Sequence, residues 1–560
     1  MNAPSYVSGT SDEPLLGMTL GQALARAAET WPDRPALISP SHGVSWTWRE
    51  FAERVRRLAS GLLALGLTRG ERIGCWSLNR PEWTLTQFAA AQAGLVFVTV
   101  NPAYRLHELE YALKKVGCAA LVTATRFKTS DFIGMVNTLA PELVASRPGA
   151  LKSARLPDLR MVIQIGEHAP GTLAFAEVAK GAAEQIAALD ALAPELQFDD
   201  PANIQFTSGT TGSPKGVTLS HHNILNNGYF TGRAMRLKPE DRICVPVPLY
   251  HCFGMVMGNL AAVTLGAAMV YPGEGFDPLA TLKTVESERC TALYGVPTMF
   301  IAELDHPEFE RIDLSSLRTG IMAGSPCPIA VMRKVVERMN MRDVTIAYGM
   351  TETSPVSFQS STDDSMERRV TTIGRVHPHV EVKIVDQSGR IVPRGTPGEL
   401  CTRGYSVMSG YWAEPEKTQE AKDAAGWMHT GDLATIDAEG YGNIVGRIKD
   451  MVIRGGENLY PREIEEFLFR HPKVQEVQVF GVADERYGEE LCAWIRVRAG
   501  EALTAEEVRA FCQGQIAHNK IPRYVEFVNE IPMTVTGKAQ KFLMRAAVEQ
   551  RLGLKKAETA

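Results

Sequence analysis

Apolar residues recur at helical spacing over residues 19–30 and 47–65, in the second stretch through Phe51, Val55, Leu58, Leu62 and Leu65, so both predict amphipathic helices. Short apolar runs follow at 72–76, 95–100 and 119–123. Continuous apolar strands separated by helices predict a parallel sheet covered on both faces. Residues 128–198, interrupted by Pro141, Pro148, Pro157 and Pro170, read as connections and surface helices. The rhythm resumes at 269–271, 292–296, 319–322 and 344–348, which predicts a second doubly wound sheet. From 374 to 446 short strands with Gly and Pro turns predict antiparallel pairing in a small β-barrel. Beyond 450 a helix (461–469), two strands (474–482 and 492–497), a helix (505–516) and a final strand predict a separate small α+β domain, with a frayed polar tail after Leu554. The expected fold class is therefore α/β: a large N-terminal lobe, residues 1–447, of two doubly wound sheets plus a small β-barrel, then a small α+β C-terminal domain, residues 448–560.

Composition narrows the class. A chain of 560 residues is too long for one core, and 45% hydrophobic with 22% charged residues is ordinary for a globular enzyme. A net charge of -5 offers no basic stripe for a nucleic-acid backbone, so small-molecule partners are expected. The nine cysteines, odd in number and without a C-x-x-C pair, read as reduced thiols. The chain start has neither a secretory nor an Arg-rich transit pattern, so the cytoplasm is the expected compartment. Residues 243–273 contain no Asp, Glu, Lys or Arg and hold Gly254 and Gly258 as a G-x-x-x-G, but Pro246, Pro248, Gly266 and Pro272 divide them. A buried strand, helix and strand are expected there rather than a membrane span. Peripheral membrane contact and self-association stay open.

The densest chemistry is TSGTTGSPKG. Gly209, Gly212 and Gly216 let backbone amides converge, Thr207, Ser208, Thr210, Thr211 and Ser213 supply hydroxyl donors, and Lys215, after Pro214, supplies a mobile positive charge. That set suits a nucleoside triphosphate, although no G-x-x-x-x-G-K-[ST] frame fits it; a flexible polar linker is the other reading of such a composition. Further strings, YGMTE (348–352), TGDLA (430–434), GRIKDMVIRGGENLYPREIE (446–465) and TVTGKAQK (534–541), are expected on turns at strand ends, where open α/β sheets bind ligands. No G-x-S-x-G or H-E-x-x-H is present, and Gly440, Gly442 and Gly446 miss dinucleotide spacing and read as hairpin turns.

In this order and at these separations the strings resemble the adenylate-forming superfamily of acyl-CoA synthetases, peptide-synthetase adenylation domains and luciferases, over about residues 20–552. IMAGSPCP, PLYHCFG and RGGENLYPREIEEFL are most similar to its medium-chain fatty acyl-CoA synthetases. The resemblance implies ATP, Mg2+ and coenzyme A as cofactors and a two-step reaction: carboxylate and ATP to acyl-AMP and pyrophosphate, then acyl-AMP and CoA to thioester and AMP. It also implies roles. Lys538 reaches the carboxylate and α-phosphate, Thr207 to Lys215 hold the β and γ phosphates, Thr351 donates to the α-phosphate, and Glu352 binds Mg2+. Tyr348, with Gly349 beside it, faces adenine next to Ala323, Gly324 and Ser325, while Asp432 and Arg447 meet the ribose hydroxyls. His251 lines and gates the acyl site. Because Lys538 and the pantetheine arm compete for the same space, the small domain is expected to rotate near Lys449, bringing Gly455 and Gly456 toward the pantetheine. Transfer to a carrier-protein pantetheine is the alternative activity, and a non-catalytic scaffold a further one, disfavoured by the presence of Lys538, Glu352 and Asp432.

Overall fold

The computed structural model describes residues 3–127, 129–207, 214–325, 327–454, 457–484, 486–534 and 539–554. The two N-terminal helices form where periodicity placed them, and their starts have a chemical reason. Thr19 caps Leu20–Thr30 and Thr47 caps Trp48–Ala64, each hydroxyl accepting from the amide of Gln22 or Glu50, whose side chain reaches back to the cap backbone.

The predicted strands fall into two large sheets. In one, eight strands run in the order Leu173–Ala174, Met161–Gln164, Cys118–Thr123, Arg72–Trp76, Val96–Thr99, Pro201–Thr207, Lys215–Ser220 and Gly410–Tyr411. Its core is parallel and its last two strands are antiparallel. Met161–Gln164 corrects the reading of 128–198 as mere connections: four buried residues form an inner strand, too short to show a period between flanking prolines. The other sheet has nine strands with a parallel core from Asp343–Gly349 to Pro35–Ser39. Pro35–Ser39 and Val44–Thr47 come from the beginning of the chain, so the sheets are interleaved in sequence rather than built one after the other.

Residues 380–447 supply four strands of a five-stranded antiparallel sheet whose outermost strand is Tyr6–Ser8, a partner that periodicity did not reveal. The expected barrel does not close: the sheet is open, its edge strands Tyr6–Ser8 and Gly442–Arg447 unpaired with each other, while Arg394 donates to Tyr6 O (3.2 Å) and to Asp437 O (2.8 Å) in the turn between the last two strands.

The charge-free segment forms strand Arg242–Cys244, a π-helical stretch Phe253–Leu260, helix Ala261–Leu265 and strand Ala268–Val270. All of Phe253–Leu260 is buried. Helix His221–Ala234 closes on it through Gly228, where a Cβ would stand 2.9 Å from Val256 O. Asn259 links polar side chains within this apolar layer, accepting from Tyr271 Oη (2.8 Å) and donating to Gln87 Oε1 (3.0 Å). Among the described residues no helix is long and apolar enough to cross a membrane.

The small domain pairs Val474–Asp484 with Gly488–Val497 and adds Tyr524–Phe527 in parallel, with helix Pro461–Leu468 as expected and the second helix, Ala505–Cys512, ending four residues before its predicted limit at 516, where Gln513 turns extended and Gly514 takes φ +73°. A closing helix, Lys541–Leu552, was not foreseen. Its buried residues reduce to Met544 and Val548 while Phe542 is exposed, so no apolar stripe announces it.

Candidate active site

One cavity lies across the carboxyl ends of strands Thr319–Ala323 and Asp343–Gly349, parallel neighbours with Ala323 opposite Ala347. Ala323, Gly324, Ser325, Tyr348, Gly349 and Thr351 line it, as expected for an open α/β sheet. Glycine is required at the turns. Gly324 has φ +91°, and a Cβ on Gly349 would overlap the Pro355 carbonyl.

Asp432 and Arg447 are cross-strand partners on the cavity wall. Arg447 Nε donates to Asp432 Oδ1 at 2.8 Å, and Tyr348 Oη donates to Oδ2 at 2.6 Å. Burial raises the Tyr348 pKa and the Asp432 charge raises it further, so the phenol keeps the proton it donates. The TGD string, expected on a turn, lies inside strand Met428–Ile436, where Gly431 (φ +70°) and a register shift bend the backbone and aim Asp432 inward. Glu399 braces that bend: Oε1 accepts from Gly431 N (3.2 Å) and Oε2 sits 3.0 Å from His429 Nδ1. Cys401 Sγ is 3.5 Å from the same nitrogen, so Glu399, Cys401 and His429 form a trio of metal-type donors, which the Glu399–His429 pair and the Gly431 contact already account for.

Thr207 and Lys215 face each other in register at the ends of antiparallel neighbours, with Pro214 directly before Lys215. Ser208, Gly209, Thr210, Thr211, Gly212 and Ser213 lie outside the described residues. Lys215 Nζ sits 4.4 Å above the ring of Tyr411, whose hydroxyl donates to Glu352 Oε1 at 2.8 Å. Glu352 belongs to the turn Thr351–Thr353; it is buried, and its Oε2 takes no hydrogen bond among the described residues. Lys215, Thr207 and Glu352 do not line the cavity. Tyr411 was missed, because a lone Tyr after Gly carries no motif; only strand register places it opposite Val217.

The apolar end of the cavity is formed by Phe253 and Met257 of the π-helical stretch and by Pro297, Thr298 and Ile301. Phe253 stacks on Tyr294, centroids 5.8 Å apart, and Tyr294 Oη donates to Met257 O at 3.0 Å, which fixes both walls. His251 lines the junction of polar and apolar ends, its Nδ1 accepting from Phe253 N at 3.2 Å. Thr351 Oγ1 lies 4.0 Å from Cys252 Sγ, tying the two turns together.

The small domain closes the cavity with Pro461, Glu465, Met533, Ala539 and Lys541, none of which was foreseen as lining it. Lys541 Nζ donates to Glu465 Oε1 (2.6 Å) and Val479 O (2.8 Å), and Gln540 N to Pro532 O (2.8 Å), so both ends of the segment holding Lys538 are anchored. Lys538 itself, Gly455 and Gly456 lie outside the described residues. Lys449 sits in a single 3-10 turn, Ile448–Asp450, between strands Gly442–Arg447 and Val452–Arg454.

Two lobes closing over a carboxylate–guanidinium pair at one end and an apolar blind end at the other define a ligand-enclosing enzyme cleft of the α/β class. Comparison with known proteins makes this specific. Residues 24–412 match the AMP-binding enzyme family and residues 463–538 its C-terminal domain. The chain is 50% identical to the mitochondrial medium-chain acyl-CoA ligase ACSF2 of Danio rerio over 98% of its own length and 91% of the relative's. The crystal structure of the anthranilate CoA ligase AuaEII in complex with anthranoyl-AMP is similar with a TM-score of 0.85 at 26% identity, covering 97% of this chain and 99% of that one. ATP-bound MatB from Rhodopseudomonas palustris gives 0.82 at 29%, covering 95% and 100%. The chain belongs to the AMP-binding enzyme family.

Proposed function

We propose that this protein activates a medium-chain fatty acid with ATP and transfers it to coenzyme A. The observation that carries the reading is the single cavity that joins the Asp432–Arg447 pair to the apolar walls of Phe253, Met257 and Ile301. A nucleoside at one end and an alkyl chain at the other meet near His251 and Thr351. Asp432 accepts from the ribose hydroxyls, Arg447 steadies them, and Tyr348 with Ala323, Gly324 and Ser325 walls the adenine. An oxygen of the fatty carboxylate attacks the α-phosphorus, the bond to the bridging oxygen breaks, and pyrophosphate leaves. No general base is needed, since the carboxylate is already the nucleophile. What the reaction needs is positive charge where negative charge gathers, the role of Lys538, Lys215 and the hydroxyls of the 207–213 loop. Thr351 donates to the α-phosphate. Glu352, one buried carboxylate with an oxygen to spare, fits Mg2+, which binds proteins through one or two carboxylates and takes the rest of its shell from phosphate and water. When bound, the ion neutralises phosphate charge. In the second step the CoA sulfur bonds to the acyl carbon and AMP departs.

The lobe boundary at 447/448 and a hinge at Lys449 belong to the same reading, supported by the lone turn Ile448–Asp450 between the two lobes' strands. The relative's name, medium-chain acyl-CoA ligase, and the anthranoyl-AMP and ATP in the similar structures support the substrate class and the two steps. None of the nine cysteines forms a disulfide and all are buried, which suits a reducing compartment such as the cytoplasm. The test is pyrophosphate release across straight-chain, aromatic and amino acids, with and without CoA. Acids of roughly six to twelve carbons are expected to outpace acetate, benzoate and amino acids, each methylene adding a modest factor; a clear win for benzoate or acetate at equal concentration would overturn the assignment.

A further inference from the structure

Lys215 and Glu352 meet the same aromatic side chain, the ammonium at the ring face and the carboxylate at the hydroxyl, and among the described residues they form no ion pair with each other or with any other side chain. That side chain is Tyr411. It is buried, held by strand pairing to Val217 and by its own amide donating to Thr418 Oγ1 at 2.9 Å. Its hydroxyl donates to Glu352 Oε1 at 2.8 Å, and its ring face meets Lys215 Nζ at 4.4 Å. The same chain segment fixes the backbone on both sides: Met408 N donates to Glu352 O (2.9 Å), Ser354 Oγ donates to Ser406 O (2.6 Å), and Trp412 N donates to Gly216 O (2.7 Å).

We propose that Tyr411 is a positioning residue that holds the cation-binding carboxylate and the phosphate-loop ammonium apart and aimed. The proposal rests on the ATP reading given above and adds to it a residue that carries no motif. A direct Lys215–Glu352 salt bridge would occupy both groups and have to be broken whenever a magnesium–triphosphate arrived. A phenol avoids that conflict. Its O–H fixes one carboxylate oxygen and leaves the other for the ion, while a ring face holds an ammonium more weakly than a carboxylate does, so phosphate oxygens draw the lysine away readily. A phenol keeps its proton at neutral pH and so remains a donor.

The test measures ATP binding by calorimetry, with Mg2+ and with EDTA, for wild type, Tyr411→Phe and Tyr411→Leu. Tyr411→Phe keeps the ring and removes only the donor to Glu352. It is expected to weaken Mg2+-ATP binding about tenfold, the scale for a hydrogen bond to a charged group, and to leave metal-free ATP binding within about twofold. Tyr411→Leu removes the ring as well and is expected to weaken binding in both buffers. Equal losses for Tyr411→Phe in the two buffers would assign Tyr411 to packing, and wild-type affinity for both variants would assign it no role; either overturns the proposal. A wild-type protein that binds no ATP in either buffer would sink the nucleotide reading and this proposal together, an outcome distinct from any difference between variants.

Discussion

Asp432 shows how much one side chain here depends on its surroundings. It is buried, and both its oxygens are engaged by donors that other elements supply, Arg447 from the neighbouring strand and Tyr348 from the end of a different sheet. Each oxygen keeps a lone pair for a further donor. Asp432→Ala removes the acceptor and leaves Arg447 without its partner, so ATP affinity is expected to fall by about 1–3 kcal/mol, read by calorimetry. Unchanged affinity would remove Asp432 from the nucleotide site. At this scale the sequence was legible where residues sit in dense strings and opaque where a lone residue acts through register. Asp432 and Arg447 were readable as a pair of strings sixteen positions apart by resemblance, but their pairing across adjacent strands, and the bend at Gly431 that Glu399 braces, follow from hydrogen bonds that no spacing encodes. Tyr411 is the sharper case, since its partners Lys215 and Glu352 are remote in sequence.

Elements with strong periodicity or a capping residue formed at their predicted limits, as Thr19, Thr47 and strand Arg72–Trp76 illustrate. Short or one-sided elements did not announce themselves: Met161–Gln164 has too few residues, and Lys541–Leu552 buries too few. The helix Pro297–Leu304 serves two masters. Pro297, Thr298 and Ile301 face the cavity, whereas Glu303 points into the core, only 1% exposed, with neither carboxylate oxygen partnered among the described residues. Burial alone pushes the Glu303 pKa well above the ordinary carboxylate value of 4.5, so the folded protein keeps this proton. The sign of the linkage follows. In the unfolded chain the group ionises above its ordinary pKa, so the unfolded state binds fewer protons and stability declines as pH rises through the window between the unfolded and folded values. Glu303→Gln keeps the shape and cannot ionise. Its stability relative to wild type is expected to grow by up to ~1.4 kcal/mol for each pH unit within that window, measured by urea denaturation from acid to alkaline pH. A difference between the two proteins that stays constant with pH would show that Glu303 does not titrate on unfolding.

At the scale of the whole molecule the question is how one cleft serves two half-reactions. Met533 and Ala539, on either side of the segment that holds Lys538, line the cavity with Lys541, which is pinned to Glu465 on the same small domain. Ile453 and Arg454, which precede Gly455 and Gly456, face elsewhere: Ile453 is 49% exposed and Arg454 pairs with Glu490 at 2.7 Å. That arrangement matches the demands of the first step, when charge must be placed against the α-phosphate. The second step needs a path for the pantetheine arm to the same carbonyl carbon, and rotation about the turn Ile448–Asp450 would exchange one face of the small domain for the other. Two substitutions are therefore expected to separate the steps. Lys538→Ala removes the charge and should cut adenylation by roughly 100-fold or more, the scale for a preorganised donor, while thioester formation from supplied acyl-AMP stays nearly intact. Lys449→Pro fixes φ near about −65°, a value that a 3-10 turn already uses, and so holds the small domain as it stands. It should spare adenylation and slow thioester formation. Both half-reactions are measured separately, by pyrophosphate release and by AMP release from acyl-AMP and CoA, with folding checked by circular dichroism. If each variant loses both steps in equal proportion while remaining folded, the small domain does not alternate, and Lys538 must serve both steps from one fixed arrangement.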